Sequence, residues 1–166
     1  GYFEQYWHGA SNIRDLIIQD NKILIGSAST GNDYRIVRYD ADGILDITFG
    51  ENGIASVDPF VLGGSGSYEV DSFAMTINNE GNIILVGSVY LSSNESYPGI
   101  YLEFDPDGQL LNSYTHNSSW DLRPFYSVIQ KSDGRYIILA YVNGTGSVLL
   151  GYNQDGSFDT NFNEVK

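Results

Sequence analysis

The chain has 166 residues, of which 42% are hydrophobic, and this is enough to bury the core of one ordinary domain. Its formal net charge is −13, with only eight lysine and arginine residues, so nucleic acids and anionic membrane surfaces are not expected as partners. The absence of cysteine excludes disulfides, thiolate nucleophiles and zinc–thiolate sites, and no apolar run is long enough to predict membrane insertion.

The first part of the chain has the patterns of four consecutive strands. A strand is predicted at 13–19, followed by a short apolar run at 22–26 that is typical of a strand covered on both faces. Alternating side chains over 34–40 predict a third strand, and a fourth is expected over about 44–57 after a turn. No stretch of the sequence has helical periodicity.

Two further units repeat this order of strands. Short polar turns join the first two strands of each unit, as is typical of hairpins. The predicted strands of these units lie at 72–78, 82–87, 100–105, 126–130, 135–140 and 148–153.

One motif follows the third strand of every unit. An aromatic residue is followed by Asp or Asn, any residue, and then Asp-Gly, within the similar stretches 39–49, 104–114 and 152–162. The intervals between these copies suit a propeller blade better than a leucine-rich or helical-hairpin repeat. Four antiparallel strands in up-and-down order also describe such a blade. We therefore predict an all-β, β-propeller-type fold with three four-stranded antiparallel blades per chain.

The repeats predict a single propeller-type domain over 1–166. Its three repeats are expected at about 10–58, 68–118 and 122–166, with 1–9 as a closing outer strand. Propellers usually have four to eight blades, and the last unit ends where its outer strand is expected. Two solutions are open: a homo-oligomer, in which a dimer closing six blades is favoured, or a fragment of a longer propeller.

The motif and its continuation resemble the delta-60 repeat family of bacterial β-propellers. Residues 39–53 follow that family's pattern nearly throughout, and 152–162 follow it until Asn163 replaces the expected glycine. The middle unit keeps its Asp-Gly pair but departs from the pattern at 112–114. The resemblance implies a propeller fold in a bacterial surface or secreted protein, hence an extracellular or cell-surface location. It implies no particular chemistry.

The Asp-Gly turns are also the candidate metal ligands. Alternating acidic side chains before a glycine occur in calcium loops, but these turns lack the further acids and the distal Glu of an EF-hand. A plain turn, in which Asp accepts backbone N–H bonds and Gly adopts positive φ, explains the motif in every unit. We therefore expect no cofactor and keep calcium as the alternative. Its candidate ligands are Asp40, Asp42, Asp105, Asp107 and Asp155.

Residues for nucleophilic catalysis are scarce. The two histidines, His8 and His116, lie outside any nucleophile motif, and the glycine-serine stretch at 63–67 is out of register with a nucleophile elbow. No spacing among the 21 acidic residues singles out a pair of carboxylates for glycoside hydrolysis. The sequence therefore favours a protein that is not an enzyme.

Aromatic residues accumulate in the connections on one face of the predicted propeller. Successive connections of an up-and-down blade alternate between two faces, so the tight turns share one face and the longer, variable connections share the other. The variable face is the predicted ligand-binding face, because aromatic rings beside small polar groups suit sugar stacking or a protein contact. The alternative is that these side chains fold back and fill the loops. They are Phe60, Tyr90, Tyr97, His116 and Trp120.

Together these features predict a non-enzymatic recognition or adhesion module that binds a glycan or protein ligand on a cell surface. Three alternatives stay open: a carbohydrate-binding lectin, a structural assembly hub whose purpose is ring closure, and a hydrolase with an acidic pocket. The fold alone does not choose between them, because propellers host many unrelated functions.

Overall fold

The computed structural model describes residues 10–29, 33–58, 68–92, 95–116 and 122–162, which form strands and turns without any helix. Within these ranges there is accordingly no helix that could span a membrane. The strands are β1 (Ala10–Gln19), β2 (Lys22–Ser29), β3 (Tyr34–Tyr39), β4 (Ile54–Val57), β5 (Tyr68–Ile77), β6 (Ile83–Leu91), β7 (Gly99–Phe104), β8 (Leu110–His116), β9 (Leu122–Gln130), β10 (Tyr136–Val142) and β11 (Gly146–Tyr152).

The strands form three antiparallel sheets of four, four and three strands. Sheet 1 has the order β1-β2-β3-β4, sheet 2 the order β5-β6-β7-β8, and sheet 3 the order β9-β10-β11. Within each sheet, the strands that are adjacent in sequence therefore pair with each other, as in the blade of a propeller. This confirms the predicted all-β architecture, with three strands rather than four in the described part of the third unit.

The fourth strand of sheet 1 is shorter than the sequence pattern predicts. The expectation of a strand over about 44–57 is wrong for most of that range, because β4 begins only at Ile54. Consecutive turns precede it: Gly50 and Gly53 adopt positive φ, and the N–H of Gly53 donates to the carbonyl of Phe49 at 2.8 Å. The other strands predicted within the described residues of sheets 1 to 3 are present, and several extend beyond the predicted bounds.

Two apolar layers hold the three sheets together, and β6 contributes to both. Its side chains alternate, so Ile83 and Leu85 pack in the layer against sheet 1, while Ile84 and Val86 pack in the layer against sheet 3. All four side chains are fully buried. The continuous apolar sequence of β6 is thus explained by a sheet that is covered on both faces.

The first strand of each sheet lies on the inner side of the array, where β1 contacts β5 and β5 contacts β9. Asp15 of β1 joins two of these inner strands, since its carboxylate accepts the backbone N–H of Met75 in β5 at 2.7 Å. The later strands lie farther out. All strand ends consequently fall on two opposite faces of the array, and these faces carry the connections.

Candidate recognition surface

The two faces carry different kinds of connection, because each sheet has up-and-down order. The Asp-Gly face carries the turns at 20–21, 40–53, 78–82, 105–109, 131–135 and 153–157. The opposite face, which we call the loop face, carries the described residues 33, 58, 92, 95–98 and 143–145.

On the Asp-Gly face, the first Asp of the motif organises its own turn. The Oδ1 atom of Asp40 accepts the backbone N–H groups of Asp42 and Ile44 at 3.0 and 2.8 Å. Asp105 accepts two N–H groups of its own turn at the same distances. The glycine of every motif has positive φ, a conformation that other residues rarely adopt. This geometry is the Asx-turn chemistry that the repeated motif predicts.

The Asp-Gly turns of sheets 2 and 3 are also fastened to the preceding sheet. The N–H of Gly50 in sheet 1 donates to the carbonyl of Asp107 at 2.7 Å, and the Arg38 guanidinium donates to the neighbouring carbonyl of Pro106. Between the next two sheets, the Asn112 amide donates to the carbonyl of Asp155 at 2.8 Å. The backbone carbonyl groups of these turns thus accept hydrogen bonds that hold adjacent sheets together.

Glycine is required at two of these turns for a further reason. A Cβ atom on Gly108 would lie 2.8 Å from the ring of Phe49 in sheet 1, and one on Gly156 would overlap the ring of Tyr101 in sheet 2. Each aromatic ring therefore packs directly on the backbone of the following turn. No other residue type fits both this approach and the positive φ.

The candidate calcium ligands take part in these turns. Among the described residues, no group of three His, Cys, Asp or Glu side chains is placed to hold a metal ion. Asp40 and Asp105 accept backbone N–H groups, and Asp155 accepts the N–H and Oγ–H of Ser157 at 2.9 and 2.7 Å, which lowers the pKa of Asp155. The remaining two candidates, Asp42 and Asp107, are exposed. Calcium binding stays a prediction without a described ligand cluster.

Two of the predicted aromatic residues meet on the loop face. Tyr90 near the end of β6 and Tyr97 ahead of β7 have ring centroids 5.0 Å apart and planes inclined by 37°. Leu91 and Ser96, which lie between them in the hairpin, exchange backbone hydrogen bonds at 2.9 and 3.3 Å. Both tyrosines are half-buried, so part of each remains accessible. We refer to them as the Tyr90–Tyr97 pair.

His116, a third predicted residue, lies in different surroundings. Its ring stacks on Phe158 with centroids 4.4 Å apart and planes inclined by 18°. Phe158 packs against the apolar layer between sheets 2 and 3, where it meets the edge of Tyr152. Burial lowers the pKa of His116, so the neutral imidazole is favoured. The sequence pattern does not identify Phe158 as a functional candidate. The feature that could have indicated it is its position directly after the third Asp-Gly turn.

The remaining predicted ligand-binding residues, Phe60 and Trp120, lie outside the described residues. The same holds for 1–9, the predicted closing strand. The described part of the predicted binding face is therefore the Tyr90–Tyr97 pair, with His116 placed in the packing between two sheets.

A cleft of 560 Å³ runs along the outer edge of sheet 3. Its lining includes Leu149 of β11 together with Phe158 and Phe162 from the turn that follows. In sheet 1 the corresponding edge of β3 pairs with β4, and in sheet 2 the edge of β7 pairs with β8. The cleft thus lies where the other two sheets have their fourth strand.

Sequence comparison bears on the fold. The family described as "Domain of unknown function (DUF5122) beta-propeller" matches residues 18–49, from the end of β1 to the first Asp-Gly turn. The fold is of the β-propeller type. No curated protein matches the chain. The propeller match covers the first copy of the Asp-Gly motif, and it assigns no activity.

Proposed function

We propose that this protein is a non-enzymatic recognition module of the delta-60 repeat type, which binds a glycan or protein ligand at a cell surface through its loop face. The observation that carries the proposal is the Tyr90–Tyr97 pair, with rings 5.0 Å apart at the accessible end of sheet 2. The repeat type is supported by the sequence at 39–53, and the propeller match at 18–49 supports the fold.

The pair has the properties of a binding platform. Tyrosine offers a large contact area at a low cost in side-chain entropy, and its hydroxyl group adds a hydrogen-bonding position at the rim. The platform is anchored, because β6 is buried on both faces over most of its length before it reaches Tyr90. A ligand that stacks on these rings therefore meets a surface that needs little ordering on binding.

A lectin is the more specific second candidate. The hairpin that holds the pair also carries the polar residues Ser92, Glu95 and Ser96 beside the rings. Aromatic rings that stack on the apolar face of a sugar, next to groups that bond its hydroxyls, are the combination that carbohydrate binding uses.

The proposal is tested by attachment of the fluorescently labelled chain to panels of bacterial and animal cells. We expect saturable attachment to at least one cell type, and Tyr97→Ala should weaken it by about tenfold or more, the range of an aromatic hot spot. Tyr114→Ala is the matched control, because Tyr114 is an exposed tyrosine of β8, outside the hairpin that carries the Tyr90–Tyr97 pair. It should leave attachment unchanged.

A glycan array with the same three proteins separates the two ligand classes. Binding to a defined saccharide that is lost in Tyr97→Ala supports the lectin, whereas cell attachment without any saccharide binding supports a protein ligand. The proposed function is wrong if no cell type is bound, or if Tyr97→Ala attaches as well as the unaltered chain. Reproducible turnover of chromogenic glycosides, esters or phosphates would contradict the non-enzymatic assignment.

A further inference from the structure

The two end sheets of the array each present an apolar face to the outside. On sheet 1 it is formed by side chains that share one side of β1 and β2, and on sheet 3 by side chains that share one side of β9, β10 and β11. We call them the rear face of sheet 1 and the front face of sheet 3. The rear face comprises Ile13, Leu16, Ile18, Ile23 and Ile25. The front face comprises Ile129, Ile137, Leu139, Tyr141 and Leu149.

The front face of sheet 3 has a counterpart in both other sheets. Counting back from the aromatic residue that ends each third strand, Leu149 occupies the position of Ile36 in sheet 1 and Tyr101 in sheet 2. Ile36 and Tyr101 are each 0% exposed, because each packs against the following sheet. Leu149 is 52% exposed. The front face of sheet 3 thus corresponds to the side by which sheets 1 and 2 pack against the following sheet.

The rear face of sheet 1 is the complementary half. Leu16 pairs with Ile25 as Met75 pairs with Leu85 and Val128 with Ile138, which makes Leu16, Met75 and Val128 equivalent. Met75 and Val128 are each 4% exposed because they pack against the preceding sheet, whereas Leu16 is 56% exposed. The rear face of sheet 1 thus corresponds to the side by which sheets 2 and 3 pack against the preceding sheet.

We propose that a second copy of this chain covers both faces. The front face of sheet 3 packs on the rear face of sheet 1 of the other copy, and the reciprocal contact closes a ring of six sheets. The chain already makes this interface twice, between sheets 1 and 2 and between sheets 2 and 3. Two copies of the three sheets that the structure describes make six, which lies within the usual range of about four to eight. Closed symmetry is also the rule for homo-oligomers.

The first test is the mass of the chain in solution, by light scattering after gel filtration. We expect twice the mass of one chain at micromolar concentration. A glutamate in either face buries a charge in both contacts, so Leu149→Glu and Leu16→Glu should each give a monomer. Leu111→Glu is the matched control, because Leu111 is equally exposed at 56% but lies on β8, outside both faces. It should leave the mass doubled.

The second test reports which faces meet. The chain has no cysteine, so Leu16→Cys and Leu149→Cys can be introduced singly and together without background. A bis-maleimide should join two chains covalently in the double variant and in neither single variant. Leu111→Cys combined with Leu149→Cys is the control and should not be joined.

The proposal is wrong if the unaltered chain is a monomer, if its mass corresponds to another number of copies, or if both glutamate variants keep the doubled mass. Covalent dimers of the single-cysteine variants would also overturn it, since like faces would then be in contact. Because all three substituted leucines are exposed in one chain, each variant is expected to fold, and circular dichroism checks this directly.

Discussion

Tyr34 and Tyr152 are both buried, but their hydroxyl groups have different surroundings. The Tyr34 hydroxyl donates to the carbonyl of Ser88 at 2.9 Å and so connects sheet 1 to sheet 2. The Tyr152 hydroxyl is buried without a hydrogen-bond partner among the described residues, and burial raises its pKa. A buried hydroxyl stabilises the fold when it is bonded and costs desolvation when it is not.

The two tyrosines therefore respond differently to the same substitution. Tyr34→Phe should lower the free energy of unfolding by roughly 1–2 kcal/mol, because it removes a buried hydrogen bond. Tyr152→Phe should leave it unchanged or raise it by up to about 1 kcal/mol, because it removes only an unbonded polar group. Urea unfolding followed by tyrosine and tryptophan fluorescence measures both, and equal losses would contradict the assignment.

At this scale the sequence predicts local contacts better than distant ones. The hydrogen bonds of Asp40 and Asp105 stay within one turn and follow from Asx chemistry alone. The stacking of His116 on Phe158 joins two different units of the repeat, and no local period relates these residues. The Tyr90–Tyr97 pair is intermediate, because a tight hairpin predicts that the residues on its two sides face each other.

At the scale of elements, Asp46 explains why the first and middle units differ after the Asp-Gly turn. In the first unit its carboxylate pairs with Lys22 at 3.1 Å and Arg38 at 3.0 Å, and it accepts the N–H of Thr48 at 3.2 Å. These bonds hold a further turn ahead of β4. The middle unit departs from the motif here, and β8 begins directly after its turn at Leu110. The departure from the repeated pattern therefore marks a real difference in structure.

Replacing Asp46 should destabilise the fold more than replacing a surface aspartate. Asp46→Asn leaves two cations without their carboxylate, and we expect it to lower the free energy of unfolding by roughly 1–3 kcal/mol. Asp133, which pairs with Lys131 and Arg135 on the exposed surface, is the control. Asp133→Asn should change stability little, because exposed ion pairs contribute little. Thermal unfolding of both variants provides the comparison.

The pH dependence gives this prediction a second measurement. The Thr48 hydroxyl, Lys22 and Arg38 hold the pKa of Asp46 below its ordinary value of 3.8. The ionised group then adds stability that is fully present above pH 3.8 and is lost as pH falls further toward the lower folded pKa. Asp46→Asn lacks this contribution, so its stability should fall less than that of the unaltered chain in this acid range. An equal fall in both proteins would contradict the assigned role.

At the scale of the whole molecule, the position of a sheet in the array determines how many of its two faces are buried against a neighbouring sheet. Sheet 2 lies between two apolar layers, whereas sheets 1 and 3 each take part in one layer within the chain. β6 and β10 are comparable in their backbone pairing, since each is paired with a strand on both sides. Their difference in protection therefore reports the covering of the sheet faces.

Hydrogen exchange should detect this difference. In monomeric Leu149→Glu, the amides of β6 should exchange roughly tenfold or more slowly than those of β10, because local opening costs less where one face is uncovered. The difference should shrink in the unaltered chain if the second copy covers sheet 3. Equal rates for β6 and β10 in the monomer would show that the layers do not set local stability.

The sequence predicts the order of the strands and the all-β class, because both follow from short-range patterns in each unit. It does not predict that Leu16 and Leu149 are exposed while Met75 and Val128 are buried, since all four are apolar residues in strands. Their exposure depends on where a unit stands in the array. Only the packing of whole sheets carries that information.

The hydrogen bonds from the Asp-Gly turns of sheets 2 and 3 to the preceding sheet also bear on how such a chain can change during evolution. The backbone carbonyl groups of Asp107 and Asp155 accept hydrogen bonds from Gly50 and Asn112, which belong to the preceding sheet. Units 2 and 3 thus each contain a contact that attaches them to the unit before. Stability in such arrays is close to a sum over units and their neighbour contacts. Duplication of one unit within the gene therefore adds a sheet, an interface and two connections on the opposite face. The contacts between neighbouring sheets of the chain keep their form, and the surface available for ligands grows with each added unit.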